Sequence, residues 1–569
     1  MRSDSQGQQI ISALYQFWKN SAWGIALVIT LLGAFLSTSA QAATFRVNSP
    51  SDVVDANPGN GVCETAAGNG ICTLRAAIQE TNVLVGPNQI ILPPNTYLLT
   101  IVDTLIIDAQ IIRDSLTITG GGAATTIIDG NKTLRPNREV LRIDSGATVS
   151  ISGVTIRNGR GGGIRNTGTL TLTNITVSGN SGDFGGGIRN FGTLTLTNST
   201  VSGNGADSSG GGIRNSGTLT LTNSTVSGNS GGLGGGIFNA DTLTLTNITV
   251  SGNSGGFGGG IFNEGTLTLT NSTVSGNSAD DDGGGIYNNF GTVSAFNSTI
   301  TDNRADADID FTGTGGGVFN GATFNFQNTI LAGNFISRLG FPVDILIPSD
   351  CAGTINSNRN NLMSSLDSCT VNGSAPTVAS PLLGPLQNNG GPTQTHALLA
   401  GSPAIDAGSP GGCQDQFGAL VVKDQRGFRR TVDGNRDGTA RCDIGAVEFG
   451  SGHGVTFYSD VDFDGDGRND IGVYRDGAWF ILRSSDGGVT ATGWGGLPQD
   501  IPVAGDYDGD GRTDVAVYRD GSWLIIRSSD QGLTSRGWGG LSGDVPVPGD
   551  YDGDGKTDVA VYRNGSWFI

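Results

Sequence analysis

Residues 161–180 read Gly161-Gly162-Gly163-Ile164-Arg165-Asn166-Thr167-Gly168-Thr169-Leu170-Thr171-Leu172-Thr173-Asn174-Ile175-Thr176-Val177-Ser178-Gly179-Asn180. The strict alternation from Thr169 to Thr173 is that of a strand with one buried face. It slips at Asn174, because Val177 lies an odd number of residues beyond Leu172, and a corner there keeps Val177 pointing inward. The unit recurs. Gly-Gly-Gly is followed by an apolar residue at Ile164, Ile188, Ile213, Ile237, Ile261, Ile286 and Val318, a period of 24 or 25 residues with a last step of 32. A unit this short buries its apolar positions only by stacking on its neighbours. Each unit predicts three short strands, carrying Ile164, then Leu170 and Leu172, then Val177, with Asn166, Asn174 and Asn180 near the bends. Three strands per turn, stacked about 4.8 Å apart, make a parallel β-helix, and parallel crossovers strongly prefer the right hand. The repeated corner residues Asn174, Asn198, Asn223, Asn247, Asn271 and Asn297 predict a hydrogen-bonded ladder.

Working outward, less regular coils are expected over 89–99, 111–118 and 140–156 before the repeats and over 324–331 after them. The segment Cys72-Thr73-Leu74-Arg75-Ala76-Ala77-Ile78-Gln79-Glu80 is a rare amphipathic helix pattern and is placed as the cap on the open N-terminal end of the solenoid. The whole chain agrees with an all-β reading. Among its 569 residues are 95 Gly and only 15% charged residues, and Gly, Asn, Thr, Ser and Val favour strands and turns over helices. The net charge of −19 has the wrong sign for nucleic acid and disfavours anionic membranes.

At the N-terminus, an apolar run from Trp23 to Leu36 and small residues ending Ala40-Gln41-Ala42 read as a signal peptide cleaved after Ala42, the alternative being an uncleaved anchor. No other segment is long and apolar enough to span a bilayer. Six cysteines pair by sequence proximity as Cys63 with Cys72, Cys351 with Cys369 and Cys413 with Cys442, one of fifteen possible connectivities. Zinc is disfavoured, since there are only two histidines, His396 and His453.

From Asp460 the composition shifts to Asp, Gly, Tyr and Trp, and a 44-residue repeat begins. Three loops of the form Asp-x-Asp-x-Asp-Gly-x-x-Asp hold Asp462, Asp464, Asp466 and Asp470; Asp506, Asp508, Asp510 and Asp514; and Asp550, Asp552, Asp554 and Asp558. Alternating carboxylates on a tight loop converge on one point and suit Ca2+, with the backbone carbonyl of Arg468, Arg512 or Lys556 adding an oxygen. An EF-hand needs Glu at loop position twelve, where Val473, Val517 and Val561 stand. Trp479, Trp523 and Trp567, and likewise Trp494 and Trp538, are expected in a strand-packed core. The chain stops within the third repeat, at Ile569, which suggests a truncated sequence and a partial propeller.

The helix segment resembles the Cys-Ser-Leu-Arg-Glu-Ala motif of exported bacterial β-helix proteins, with Thr73 and Ala76 replacing Ser and Glu. The Gly-Gly-Gly-Ile repeats are similar to those of polymorphic outer-membrane proteins. Gly390-Gly391-Pro392-Thr393-Gln394-Thr395-His396, Ser402-Pro403-Ala404-Ile405-Asp406-Ala407-Gly408, Asp424-Gln425-Arg426-Gly427 and Asp443-Ile444-Gly445-Ala446-Val447-Glu448 resemble the choice-of-anchor Q module. The last repeats resemble FG-GAP, or integrin-type, propeller repeats. Together these imply a leader over 1–42, a cap over 43–85, a β-helix over 86–335, a family-typical terminal region over 336–449, and calcium-binding repeats over 450–569. The resemblance implies no known catalytic activity. The expectation is accordingly a non-enzymatic, exported surface or secreted protein that binds glycans or proteins or serves as an envelope scaffold.

The alternative is a polysaccharide-active enzyme, since parallel β-helices also carry pectate lyases and polygalacturonases. Such chemistry needs converging carboxylates, or calcium beside a base. The best candidates are Asp280, Asp281 and Asp282 with Asp302, Asp306, Asp308 and Asp310, about one coil apart. Arg165, Arg189 and Arg214 read as a solvent-facing ladder, His396 as structural, and Arg426, Arg429 and Arg430 as ties for the acidic terminal region.

Overall fold

The structure is a computed structural model and describes residues 42–84, 86–101, 111–134, 138–338, 345–366, 368–435, 437–450, 456–475, 477–497, 500–541, 544–563 and 566–569. The apolar leader run lies outside these residues. A parallel β-helix forms, as the repeat demands. Ile164, Ile188, Ile213, Ile237, Ile261, Ile286 and Val318 pair rung to rung in unbroken register. Leu170, Leu194, Leu219, Leu243 and Leu267 do the same. These columns are buried and merge into one core.

The three faces are not divided as expected. Ile164–Asn166 and Thr169–Thr173 belong to one sheet, Thr176–Ser178 to a second, and the third is built from Ser181–Phe184 and its equivalents. The Asn174 corner is real: Asn174 through Asn297 and Asn328 hold φ between 49° and 56°, a left-handed bend that Asn tolerates. Its ladder is fragmentary, with side-chain bonds only from Asn247 to Asn223 and from Asn328 to Asn297. The continuous ladders stand at the other two asparagines. Asn166, Asn190, Asn215, Asn239, Asn263, Asn288 and Asn320 donate one to the next at 2.7–2.8 Å. Asn180, Asn204, Asn229, Asn253, Asn277, Asn303 and Asn334 do so at 2.9–3.0 Å.

The triple glycine follows from this packing. A Cβ on Gly187 would lie 2.5 Å from the Gly212 carbonyl oxygen and 2.9 Å from Asn204 Nδ2, so a side chain there would expel the ladder. At the N-terminal end, helix Leu74–Thr81 is capped by Thr73, whose side chain accepts from Ala76 N–H. It lays Leu74, Ala77 and Ile78 against Phe45, Val47 and Ile90 of the core. All three disulfides join the pairs expected from proximity, which fits an oxidising compartment.

Residues 381–449 fold back across the second sheet. Gln425 donates to the Ile248 carbonyl and accepts from Thr273 Oγ1, Arg430 donates to Asn271, and Asn328 donates to the Asp443 carbonyl. Arg426 and Arg430 tie this region down as expected, through Asp424 and the carbonyls of Glu448 and Gly445. Beneath lie four carboxylates, Asp406, Asp424, Asp443 and Glu448; Asp424 pairs with Arg426, and Arg430 stands 3.8 Å from Glu448. Burial first, and then the Glu448 charge, push Asp443 up to about 8. A folded-state pKa above the unfolded one gives stability that is complete below the ordinary carboxylate range near 4 and is lost as pH rises toward about 8. Raising pH from 5 to 9 is therefore expected to lower the amide protection factors, that is exchange corrected for its base-catalysed intrinsic rate, at residues 393–396 and 423–432 in the native protein. In Asp443→Asn, which carries no proton to lose, that dependence should flatten; an equal dependence in both proteins contradicts the assignment.

After residue 456 the repeats form three separate antiparallel sheets, not a closed propeller. The first two contain four strands each and the third three, ending with Ser566–Phe568. Trp479 and Trp523 are fully buried as expected, but Trp567 is exposed. Trp494 and Trp538 instead link successive sheets, donating to the Leu524 and Phe568 carbonyls.

Candidate functional site

Two acidic loops stack one rung apart. Asp280, Asp281 and Asp282 follow strand Ser278–Ala279, and Asp306, Asp308 and Asp310 follow Arg304–Ala305 on the next rung. The rungs are tied by Asp306 N–H donating to the Asp281 carbonyl at 3.0 Å and Ala307 N–H to the Ala279 carbonyl. The long last step of the repeat supplies the second loop, which turns through Ile309 at φ 64° and Phe311 at φ 74°. Left-handed backbone at non-glycine residues costs roughly 1–2 kcal/mol each, and such strain concentrates at binding loops.

The side chains converge. Thr312 Oγ1 donates to Asp310 at 2.6 Å and lies 3.2 Å from Asp281, so one hydroxyl joins the two loops. Thr314 donates twice to Asp282, from N–H at 2.8 Å and Oγ1 at 2.7 Å. Asp306 is buried and ion-paired to Arg338, which lies over Phe311. Oxygen atoms of Asp306, Asp308 and Asp310 all lie within 4.8 Å of one another. The environments push the acids apart. Burial, then Asp308 and Asp281, raise Asp280 above the usual carboxylate range. Burial also raises Asp282, whereas the Thr312 hydroxyl holds Asp310 below that range. Divergent carboxyls of this kind are how one site supplies both acid and base.

Asp302 does not join them. It lies on the far side of its rung, 3.9 Å from His396 Nε2. His396 is buried and structural, its Nδ1 on the Gly384 carbonyl and its Nε2 on Ser275 Oγ, both at 2.7 Å. Ser275 is itself buried, so this pair fastens residues 381–449 to the solenoid and faces no substrate.

A column leads to the acidic loops that the sequence reading recognised only in part. The residue after each Gly-Gly-Gly-Ile, directed away from the solenoid core, runs Arg165, Arg189, Arg214, Phe238, Phe262, Tyr287, Phe319 in direct register, with Phe238 and Phe262 buried and the others half-buried. Aligning the repeats would have revealed it. The four rings stack, with centroids 5.4, 4.9 and 4.7 Å apart, and Phe257 meets Tyr287 edge-on at 5.3 Å. Asp282 and Asp281 add to burial in raising the Tyr287 hydroxyl, which puts the column and the acidic loops in one electrostatic environment. The arginines are half-buried, not a free solvent ladder as expected.

The C-terminal loops also gather carboxylates. Asp462, Asp464 and Asp470, then Asp506, Asp508 and Asp514, and then Asp550, Asp552 and Asp554 each bring oxygens within 4.8 Å of one another. These donor sets fit a hard divalent cation. Asp466 and Asp510 stand aside and accept from Ser484 and Ser528 hydroxyls. Asp558 accepts from Tyr551 N–H. The N–H groups of Arg468, Arg512 and Lys556 close the loops onto Asp466, Asp510 and Asp554. Ser485 and Ser529, not foreseen from sequence, hold Asp464 and Asp508 at 2.5 Å.

Residues 102–237 match the family model of the right-handed β-helix region. Solved structures to which the chain is similar include these three. Pectate lyase Pel9A is 14% identical with a TM-score of 0.36, covering 72% of this chain and 98% of its own. The A-module of Azotobacter vinelandii mannuronan C-5 epimerase AlgE4 is 14% identical with a TM-score of 0.31, covering 58% and 94%. Tailspike protein 2 of Escherichia coli O157:H7 bacteriophage CAB120 is 12% identical with a TM-score of 0.28, covering 87% and 69%. None of the curated proteins matches the chain. The expectation of a non-enzymatic protein is corrected here: a lyase and an epimerase are among the solved structures to which the chain is similar.

Proposed function

We propose that this is an exported polysaccharide-active enzyme that cleaves glycosidic bonds at the paired loops of Asp280–Asp282 and Asp306–Asp310. The convergence of carboxyls shifted in opposite directions, Asp280 up and Asp310 down, at the end of a stacked aromatic column carries this reading. Asp280, held toward its protonated form, is the acid that protonates the leaving oxygen. Asp310, held ionised by Thr312, is the base or nucleophile on the other side of the sugar. Arg338 pairs with Asp306 and holds the loop in place. Export is supported by the leader pattern and the three disulfides, and calcium at the C-terminal loops by their donor sets.

The test is product formation from pectate, polygalacturonate, alginate and neutral glucans, with calcium present. Activity on at least one is expected. It should fall about a hundredfold in Asp280→Asn and Asp310→Asn, in keeping with the loss of a general acid or base. No product from any polymer, or activity unchanged in both variants, overturns the proposal.

A further inference from the structure

Arg165, Arg189 and Arg214 lie one above another in register. Stacked like charges repel, and burial followed by the charges of Arg165 and Arg214 pushes the Arg189 guanidinium below its ordinary range. None of the three forms an ion pair among the described residues. Asp183 and Glu139 are felt at Arg189, and Glu264 at Arg214, only at longer range. Rings replace counter-charges: Arg165 and Arg189 lie over Phe191, Arg189 and Arg214 over Phe184, and Arg214 over Phe238, at 4.8–5.3 Å. The rings line up the guanidiniums without neutralising them. The buried Nε atoms of all three have no hydrogen-bond partner. In a chain of net charge −19, this is a row of cations, half-buried and pre-aligned, with no directly paired counter-charge among the described residues.

The row is spaced by the rungs, about 4.8 Å, a distance of the same order as one pyranose in an extended chain. Thus a polymer with one anionic group per sugar would meet one arginine per group. We infer that Arg165, Arg189 and Arg214 form a binding row for an anionic polysaccharide, such as a polyuronate, laid along the solenoid axis. The inference rests on the reading of the solenoid as polysaccharide-active and gives it a substrate class. The acidic loops do not cancel the row, for they lie three rungs beyond Arg214, roughly 14 Å at that spacing, which exceeds a Debye length of about 8 Å at physiological salt.

Binding of the full-length protein to polygalacturonate, dextran and duplex DNA would be measured by calorimetry at two salt concentrations. Polygalacturonate should bind, weaken as salt rises, and be preferred over both other polymers. The triple variant Arg165→Gln, Arg189→Gln, Arg214→Gln should bind about tenfold more weakly or worse, through the loss of charge-assisted hydrogen bonds. The triple Lys variant, which keeps the charge but not the stacked planar guanidiniums, should bind more weakly than wild type and more tightly than the Gln variant, and Arg536→Gln, at an exposed site in the C-terminal repeats, should match wild type. Because like charges are being removed, melting of the triple Gln variant should not fall; if it does, Arg189→Gln alone serves, with a smaller loss expected. Equal binding by wild type and the Gln variant, equal binding of dextran, or tighter binding of DNA overturns the inference. Arginine-dependent binding without any cleavage overturns the catalytic reading and leaves the row; cleavage unaffected by the arginines does the reverse.

Discussion

Calcium is expected to raise the melting temperature of the repeats over residues 456–569 sharply, and a chelator to lower it, with the β-helix transition unmoved. Each loop packs three carboxylates within 4.8 Å, so their mutual repulsion opposes folding until a cation reverses its sign. Binding to the folded form alone stabilises by RT ln(1 + [L]/Kd), roughly 2.7 kcal/mol per site at a hundredfold excess over Kd. With three such loops, the summed effect is comparable to the whole stability of a small domain. The readout is built in. Of seven tryptophans, five lie in the repeats, at positions 479, 494, 523, 538 and 567, and the other two precede residue 42. In a protein produced from residue 43 onward, indole fluorescence therefore follows the repeats, while circular dichroism is dominated by the longer solenoid. Replacing Asp506 and Asp508 by Asn should remove one site's share, and magnesium should compete poorly because it demands rigid octahedral geometry and sheds water reluctantly. Identical fluorescence melts in calcium and chelator would reduce the loops to acidic turns.

Asn204→Leu is expected to destabilise the solenoid by about 4 kcal/mol, from two buried polar groups left unpaired at roughly 1–3 kcal/mol each. Asn204 accepts from Asn180 N–H and Nδ2–H and donates to the Val177 carbonyl and Asn229 Oδ1, all at 3.0 Å. Removing its amide leaves Asn180 N–H and one Asn180 Nδ2–H without the acceptor they share in a dry interior, where such groups cannot turn to water. Leucine is also bulkier than the amide against Gly187, which already sits closely on it, so overpacking adds to the loss. The same chemistry on the outer face should matter little: Thr195→Val is expected to stay within about 0.5 kcal/mol. Loss of the dichroism transition at lower denaturant for Asn204→Leu, and no shift for Thr195→Val, checks the pair. A shift of similar size in both would deny the ladder its role.

The repeat made most of this fold legible. Thr169–Thr173 declared its inward face by period, and the Gly-Gly-Gly-Ile spacing declared the rungs. The third sheet was not legible, because Ser181–Phe184 contributes no inward apolar side chain and its exposure follows no alternation; only backbone pairing makes it a strand. Asparagine position misled for a related reason. Asn174 and Asn180 look alike in sequence, yet a left-handed corner points the first outward while the second lies inside, where an unpaired amide is costly and a ladder must form.

The candidate site was half legible. Two Asp-rich loops one period apart could be read from sequence, but the sorting of Asp302 away from the others depended on which side of a rung it leaves. The Ser275–His396 contact joins residues 121 apart, beyond any local pattern. The switch from arginine to aromatic at one repeat position was readable by aligning units, and it supplies the lateral face on which the functional reading depends.

Amide exchange by mass spectrometry, with and without saturating polygalacturonate, tests that lateral face most directly. Protection is expected along one side of the solenoid, at residues 181–191, 205–214, 280–287 and 306–319, with the threonine-rich strand Thr218–Thr222 and the C-terminal repeats unchanged. Protection confined to the repeats or to the threonine strands, or none anywhere, would contradict a polysaccharide site on this face.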